Sequence, residues 1–184
     1  MINNNAPEFD RIAQAYQKAK KVIPRKMAIY AVNHFKRNFK LQGFQDGSLK
    51  KWPARAGKMR KGGNILIKSG RLRRGVKILR TTGNRTIIGV GAEIPYAKIH
   101  NEGGKIKVTA KMRRYFWAVY YSLAEKDETG KVTSESDEAK FWKNMALTKK
   151  THIDVPKRQF IGPSIGLEKG LDKLVIKELQ KIIT

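Results

Sequence analysis

Apolar side chains return every three or four positions along residues 8–41, and Pro24 sits in the middle of that run. No other feature restricts the fold as much. Phe9, Ile12, Tyr16, Ala19 and Ile23 mark one helical stripe, and Met27, Ala31, Phe35 and Phe39 mark a second. A proline inside a helix removes a hydrogen bond and crowds the carbonyl four residues back, whereas at the first turn of a helix it is tolerated. The pattern therefore predicts two helices meeting at Pro24, with Phe35 and Phe39 in the core.

The helical signal stops at "LQGFQDGSLKKWPARAGKMRKGGN", which is rich in glycine and cations and lacks periodicity. Residues 43–64 read as a basic, mobile surface loop, since long segments of this kind cannot bury themselves well. Trp52 stands out from its polarity, and is expected to pin the loop to the core. "SGRLRRG" reads as a turn or a single helical turn. Residues 76–81 and 85–91 are rich in Val, Ile and Thr and flank Gly83-Asn84, a hairpin signal.

Residues 105–153 read as a helical insert. It comprises a short strand in "KIKVTA", helices in "KMRRYFWAVYYSLAEK" and "EAKFWKNMAL", and between them a polar, acidic, mobile loop. "THIDVPKRQFIGPS" is extended, and a last helix runs from about 165 to 182. The expected fold is α+β, one domain over residues 1–184. A small antiparallel sheet packs against N- and C-terminal helices.

Charge narrows the partners. Lys and Arg number 40 against 15 acids, a formal +25. From Arg11 to Ala92 there are 22 basic residues and one acid, Asp46, whereas Glu125 to Glu138 holds six acids and two lysines. So positive a field draws polyanions such as nucleic acid or acidic protein surfaces. The bland alternative is a solvated basic surface. Arg71, Arg73, Arg74 and Lys77 crowd one short stretch, and unpaired buried charge costs several kcal/mol. They are expected to face a DNA channel or an acidic partner rather than the core.

Catalytic constellations are missing. His34, His100 and His152 are scattered, and His100 with Glu102 falls short of the three or four ligands a zinc site uses. No serine occupies an elbow motif, and the first half of the chain lacks the clustered carboxylates a Mg²⁺ nuclease needs. No enzyme activity, metal or cofactor is expected. Cysteine is absent, so disulfides are excluded. No apolar run approaches the ~20 residues that cross a bilayer. "MINNNAPEFD" also lacks the marks of a secretory signal. "RRYFWAVYY" could stack bases, though aromatics at helical spacing more often fill a core or a subunit contact. In "PYAKIHNEGG", Pro95 fixes the entry, Tyr96 and Ile99 can pack inward, and His100 and Asn101 can bond loop backbone. Gly103-Gly104 permits positive φ. His100 reads as a brace in a turn.

Four segments in order, "FKLQGFQDGSLKKWPA", "GGNILIKSGRLRRGVK", "IIGVGAEIPYAKIHNEGG" and "VPKRQFIGPS", resemble the phage virion morphogenesis family, the tail-completion and neck proteins of tailed bacteriophages. Asp46, Trp52, Leu66, Gly70, Leu72, Tyr96, Ala97, His100, Gly103, Pro156, Arg158 and Phe160 occupy the family's motif positions. The insert at 105–153 departs from its pattern. The resemblance implies a structural protein assembled as a homo-oligomeric ring, of six subunits, where tail meets head. Other tail or connector proteins would be its partners, with non-specific contact to genomic DNA. It also implies a place in the virion, and in the host cytoplasm during assembly. The competing reading is a basic module that binds free DNA without sequence preference.

Overall fold

The computed structural model describes residues 6–55, 63–82 and 85–183. Helix α1 (Ala6–Leu41) is continuous for 36 residues, so the expected break at Pro24 does not occur. Pro24 and Lys20 are both exposed on one face. The Lys20 carbonyl that loses its partner at Pro24 therefore lies on the solvent side, where a proline within a helix is least disruptive. The C-terminal half buries Ala28, Ala31, Phe35 and Phe39, at spacings of three and four. The N-terminal half is uncovered, with Phe9 67% and Tyr16 53% exposed.

Strands β1 (Gly43–Asp46) and β2 (Ser48–Lys51) form an antiparallel ribbon, with Gly43 opposite Lys51 and Asp46 opposite Ser48. The first nine residues of the segment read as a loop are thus a hairpin. Its turn is Gly47, at φ +69°. Residues 56–62 of that segment lie outside the described residues. The single turn α2 (Arg71–Gly75) runs directly into β3 (Val76–Thr82), which pairs antiparallel with β4 (Arg85–Val90). The register shifts between Ile78 and Arg80. The predicted turn residues Gly83 and Asn84 are outside the described residues.

After α3 (Ala97–Glu102), strand β5 (Gly104–Lys107) pairs antiparallel with the distant β8 (His152–Val155). The two form the stem of an arm. On it stand α4 (Ala110–Leu123), the small ribbon of β6 (Glu125–Lys126) and β7 (Val132–Ser134), and α5 (Asp137–Leu147). Helix α6 (Ile165–Ile183) returns along α1. The fold is α+β as expected, and among the described residues its antiparallel pairing is carried by four separate two-stranded ribbons.

Two apolar clusters result. The main core holds Phe35, Phe39, Phe44, Trp52, Leu72, Val76, Ile94 and Phe160. Phe39 stands at its centre, with ring centroids 5.6 Å from Trp52 and 5.1 Å from Phe160. The arm has its own cluster, in which the Phe116 and Trp142 rings lie 5.6 Å apart above buried Ala139 and Ala146. Its helices are capped by side chains: Thr109 Oγ1 accepts from Met112 N and Ser136 Oγ from Ala139 N. Arg113 donates to the carbonyls of Ala146 and Thr148 at the end of α5. The acidic segment at the tip, read as a loop, holds the β6–β7 ribbon and a hydrogen-bonded turn. Asp127 Oδ1 accepts from the backbone N–H groups of Thr129 and Lys131.

Candidate functional site

The motif segments, far apart in sequence, converge on one strap, residues 156–164. Asn101 Oδ1 accepts from the N–H groups of both Phe160 and Ile161, at 2.9 and 3.0 Å. Trp52 Nε1 donates to Gln159 O at 2.7 Å. Arg158, buried, donates from Nε to Pro53 O and from Nη2 to Ala54 O, both at 3.0 Å, and its own N–H meets His100 O at 2.8 Å. Ser164 Oγ donates to Gln45 O at 2.7 Å and lies 3.3 Å from His34 Nε2. It also accepts from Leu167 N, capping α6, while Asp46 Oδ1 accepts from Ile165 N and Oδ2 from Lys50. The strap is sewn to α1, to the β1–β2 ribbon and to α3 at once.

The glycine of "PYAKIHNEGG" closest to the strap is fixed by space and by conformation. Gly103 has φ +76°, and a Cβ there would come within 2.8 Å of Lys157 N. Gly70, at φ +71°, precedes α2, and buried Leu72 and half-buried Leu66 pack into the main core. Pro156 ends β8 on the surface.

Two expectations about this segment change. His100 sits on the short helix α3 rather than in a turn. Its braces are its backbone carbonyl and its ring face, while its buried Nδ1 has no hydrogen-bond partner among the described residues. Tyr96 does not enter the core; it is exposed and packs edge-on to the His100 ring at 5.9 Å. Burial, then the nearby Arg158 charge, lowers the His100 pKa from its ordinary 6.5. Burial likewise lowers that of His34, against a contact with the Gln45 backbone that raises it.

This sets a pH dependence. With folded-state values below 6.5, the unfolded chain takes up these protons first. The stabilising contribution is complete above pH 6.5 and is lost as pH falls from there through the folded values. Thermal unfolding of the wild type should therefore weaken on acidification below neutrality. His100→Phe, which keeps a ring and removes the titration, should flatten that decline, and an identical slope in the variant would contradict the assignment. Arg158→Lys should cost about 1–3 kcal/mol, because one ammonium cannot span two carbonyls as a guanidinium does. An unchanged urea midpoint would remove its bracing role.

The basic cluster divides. Arg71 Nη2 donates to Glu93 O at 2.7 Å, and Lys77 Nζ pairs with Glu93 Oε1 at 2.8 Å. That hydrogen bond from Lys77 holds the Glu93 carboxyl below its usual range. Arg74 Nη1 donates to Ser69 O at 2.9 Å, and Arg73 and Arg74, with Lys36, Ile67 and Gly70, line a recess of about 370 Å³. Arg71, Arg74 and Lys77 are exposed and Arg73 is half-buried.

Sequence reasoning missed Asn38, fully buried between Phe35 and Phe39. Its Nδ2 donates to Phe160 O and its Oδ1 accepts from Gln45 N, each at 3.1 Å. It missed Gln42, which holds Ile65 through both its amide atoms, and Ser164. The available signal was an amide interrupting an apolar helical stripe.

Among the described residues, no three His, Asp or Glu side chains come together as metal ligands. The strap is braced from two other motif segments, through Gln45, Asp46, Trp52, Pro53 and Ala54 and through His100 and Asn101, and from His34 and Asn38 of α1. The family model for phage virion morphogenesis matches residues 6–180. The chain belongs to the phage virion morphogenesis family. No curated protein and no solved structure matches it. Membership gives the chain a structural role in building the phage particle and associates it with the virion. No helix among the described residues is long and apolar enough to cross a membrane.

Proposed function

We propose that this virion morphogenesis protein completes the tail or joins head to tail, assembling as a ring around the DNA path. The observation that carries the reading is the uncovered N-terminal half of α1. Phe9 and Tyr16 are exposed on a helix that carries Arg11, Lys18, Lys20, Lys21 and Arg25 and no acid after Asp10 until beyond its end. A long apolar and cationic face of this kind suits burial against another protein surface in an assembled particle. Strap and core need no partner, so the subunit can fold first and assemble afterwards.

Light scattering over a range of concentrations, with negative-stain images of the largest species, tests this. Closed rings are expected to grow in with concentration. A chain that stays monomeric up to the highest soluble concentration would refute the ring.

The recess of Lys36, Arg73 and Arg74 favours a second reading, a module that grips phosphate on free DNA. Three phosphate contacts would give a slope of about −2.7 in log affinity against log salt. Such a slope for a dilute monomer would favour the DNA-binding module, and its absence, together with rings, would favour the assembly protein.

A further inference from the structure

We infer that the acidic tip of the arm docks, in a neighbouring copy of this chain, into the groove between α1 and the β3–β4 ribbon. The inference rests on the ring reading and identifies the two surfaces that would make it.

The groove is a cavity of about 780 Å³ whose lining combines Lys20, Lys21 and Arg25 with Pro24, Ala28 and Ile78. It opens into a second cavity of about 370 Å³ that reaches Met27, Ala31 and Leu171. These three cations are in no ion pair among the described residues. A lining that mixes cations with apolar side chains suits a ligand that offers both carboxylates and apolar groups.

The tip of the arm has that composition. Glu125, Glu128, Asp137 and Glu138 are exposed and form no ion pair among the described residues. Beside them, at the end of α4, Tyr121 and Leu123 are also exposed. The tip is cross-braced by its own side chains. Glu135 accepts from the Tyr120 hydroxyl at 2.5 Å and pairs with Lys143 at 2.7 Å, and Asp127 closes the β6–β7 turn. A pre-ordered element loses less entropy on docking than a flexible loop does.

Tip and groove are different patches, so their pairing is head-to-tail. Where each tip enters the groove of the next copy rather than exchanging reciprocally with one partner, contacts of that kind generate closed rings or open filaments. The opposite net charges also oppose the alternatives, since tip on tip and groove on groove both repel.

The test is charge exchange in the full-length chain. Glu125→Lys with Glu128→Lys, and separately Lys21→Glu with Arg25→Glu, should each weaken assembly by about a hundredfold or more in concentration. Mixing or combining the two sets should restore it. Circular dichroism establishes that each variant is folded. Because the chain has no cysteine, Glu128→Cys combined with Lys21→Cys gives an independent readout: oxidised assemblies should run as a covalent ladder ending at the ring, while either single variant gives no ladder.

If wild-type rings form but survive either reversal, or if neither exchange nor cross-linking recovers the contact, the docking is wrong while the ring stands. If the wild type never forms rings, the ring reading fails and takes this inference with it. If Lys21→Glu with Arg25→Glu abolishes binding of duplex DNA and leaves rings intact, the groove is a phosphate surface and the inference is overturned.

Discussion

Replacing Phe160 by Ala is expected to destabilise the folded protein by about 3–5 kcal/mol, the range for removing a fully buried aromatic side chain. Phe160 is 1% exposed and packs against Phe39 at the middle of the core. Its surroundings cannot collapse to refill the space. The N–H of Phe160 is held by Asn101 and its carbonyl by Asn38, and Trp52 holds the carbonyl of the preceding residue. The strap is thus tethered on both sides of the ring, and a cavity would persist. Phe9→Ala is the matched control. Phe9 is largely exposed in the single chain, so its loss should leave stability within about 0.5 kcal/mol while weakening assembly. Urea denaturation of both variants decides the matter. A cost below about 1 kcal/mol for Phe160→Ala would mean that the strap does not close the core.

What the sequence made legible was whatever local pattern decides. The stripe Ala31, Phe35 and Phe39 announced a buried helical face, and it is buried. Val, Ile and Thr around residues 76–90 announced a ribbon, and β3–β4 forms there. Trp52, the exception read in a polar stretch, does reach the core, and so does Phe44 of the same stretch. Failures came where tertiary context overrides local preference. Pro24 reads as a helix break, yet its unmatched carbonyl lies on the solvent side and α1 continues. Gly43 to Lys51 lacks strand-forming composition, but its ribbon is closed by Gly47 and fastened through Asp46, Gln45 and Ser164, which no local rule anticipates. Of the strap, the motif residues were visible while their partners were not. Asn101 was expected to bond backbone and does. His100 was expected to do so through its side chain, and instead lends its carbonyl and the face of its ring.

Asn38 tests whether these polar stitches hold the fold as firmly as the aromatic core. Nothing replaces its amide. Asn38→Leu conserves bulk but leaves Phe160 O without a donor and Gln45 N without an acceptor. Each orphaned buried group costs about 1–3 kcal/mol, so a loss of about 2–6 kcal/mol is expected despite the more apolar side chain. Asn38→Asp separates the two bonds. An ionised carboxylate can still accept from Gln45 N, but it cannot donate to Phe160 O, and it buries a charge. Protonation cures both faults, so burial raises the folded-state pKa of that Asp above its unfolded value of about 3.9. The sign follows from linkage. A group with a raised folded value contributes stability at low pH and loses it as pH rises through that value. The gap between Asn38→Asp and wild type should therefore narrow as pH falls from 7 towards 5, whereas the gap for Asn38→Leu should not change. His100 is common to all three proteins and cancels in the comparison, while His34, one helical turn from position 38, is replaced by Gln in every background so that its titration does not enter. A gap for Asn38→Asp that does not vary with pH would mean that donation to Phe160 O is not what Asn38 contributes. The strap would then be held by packing alone.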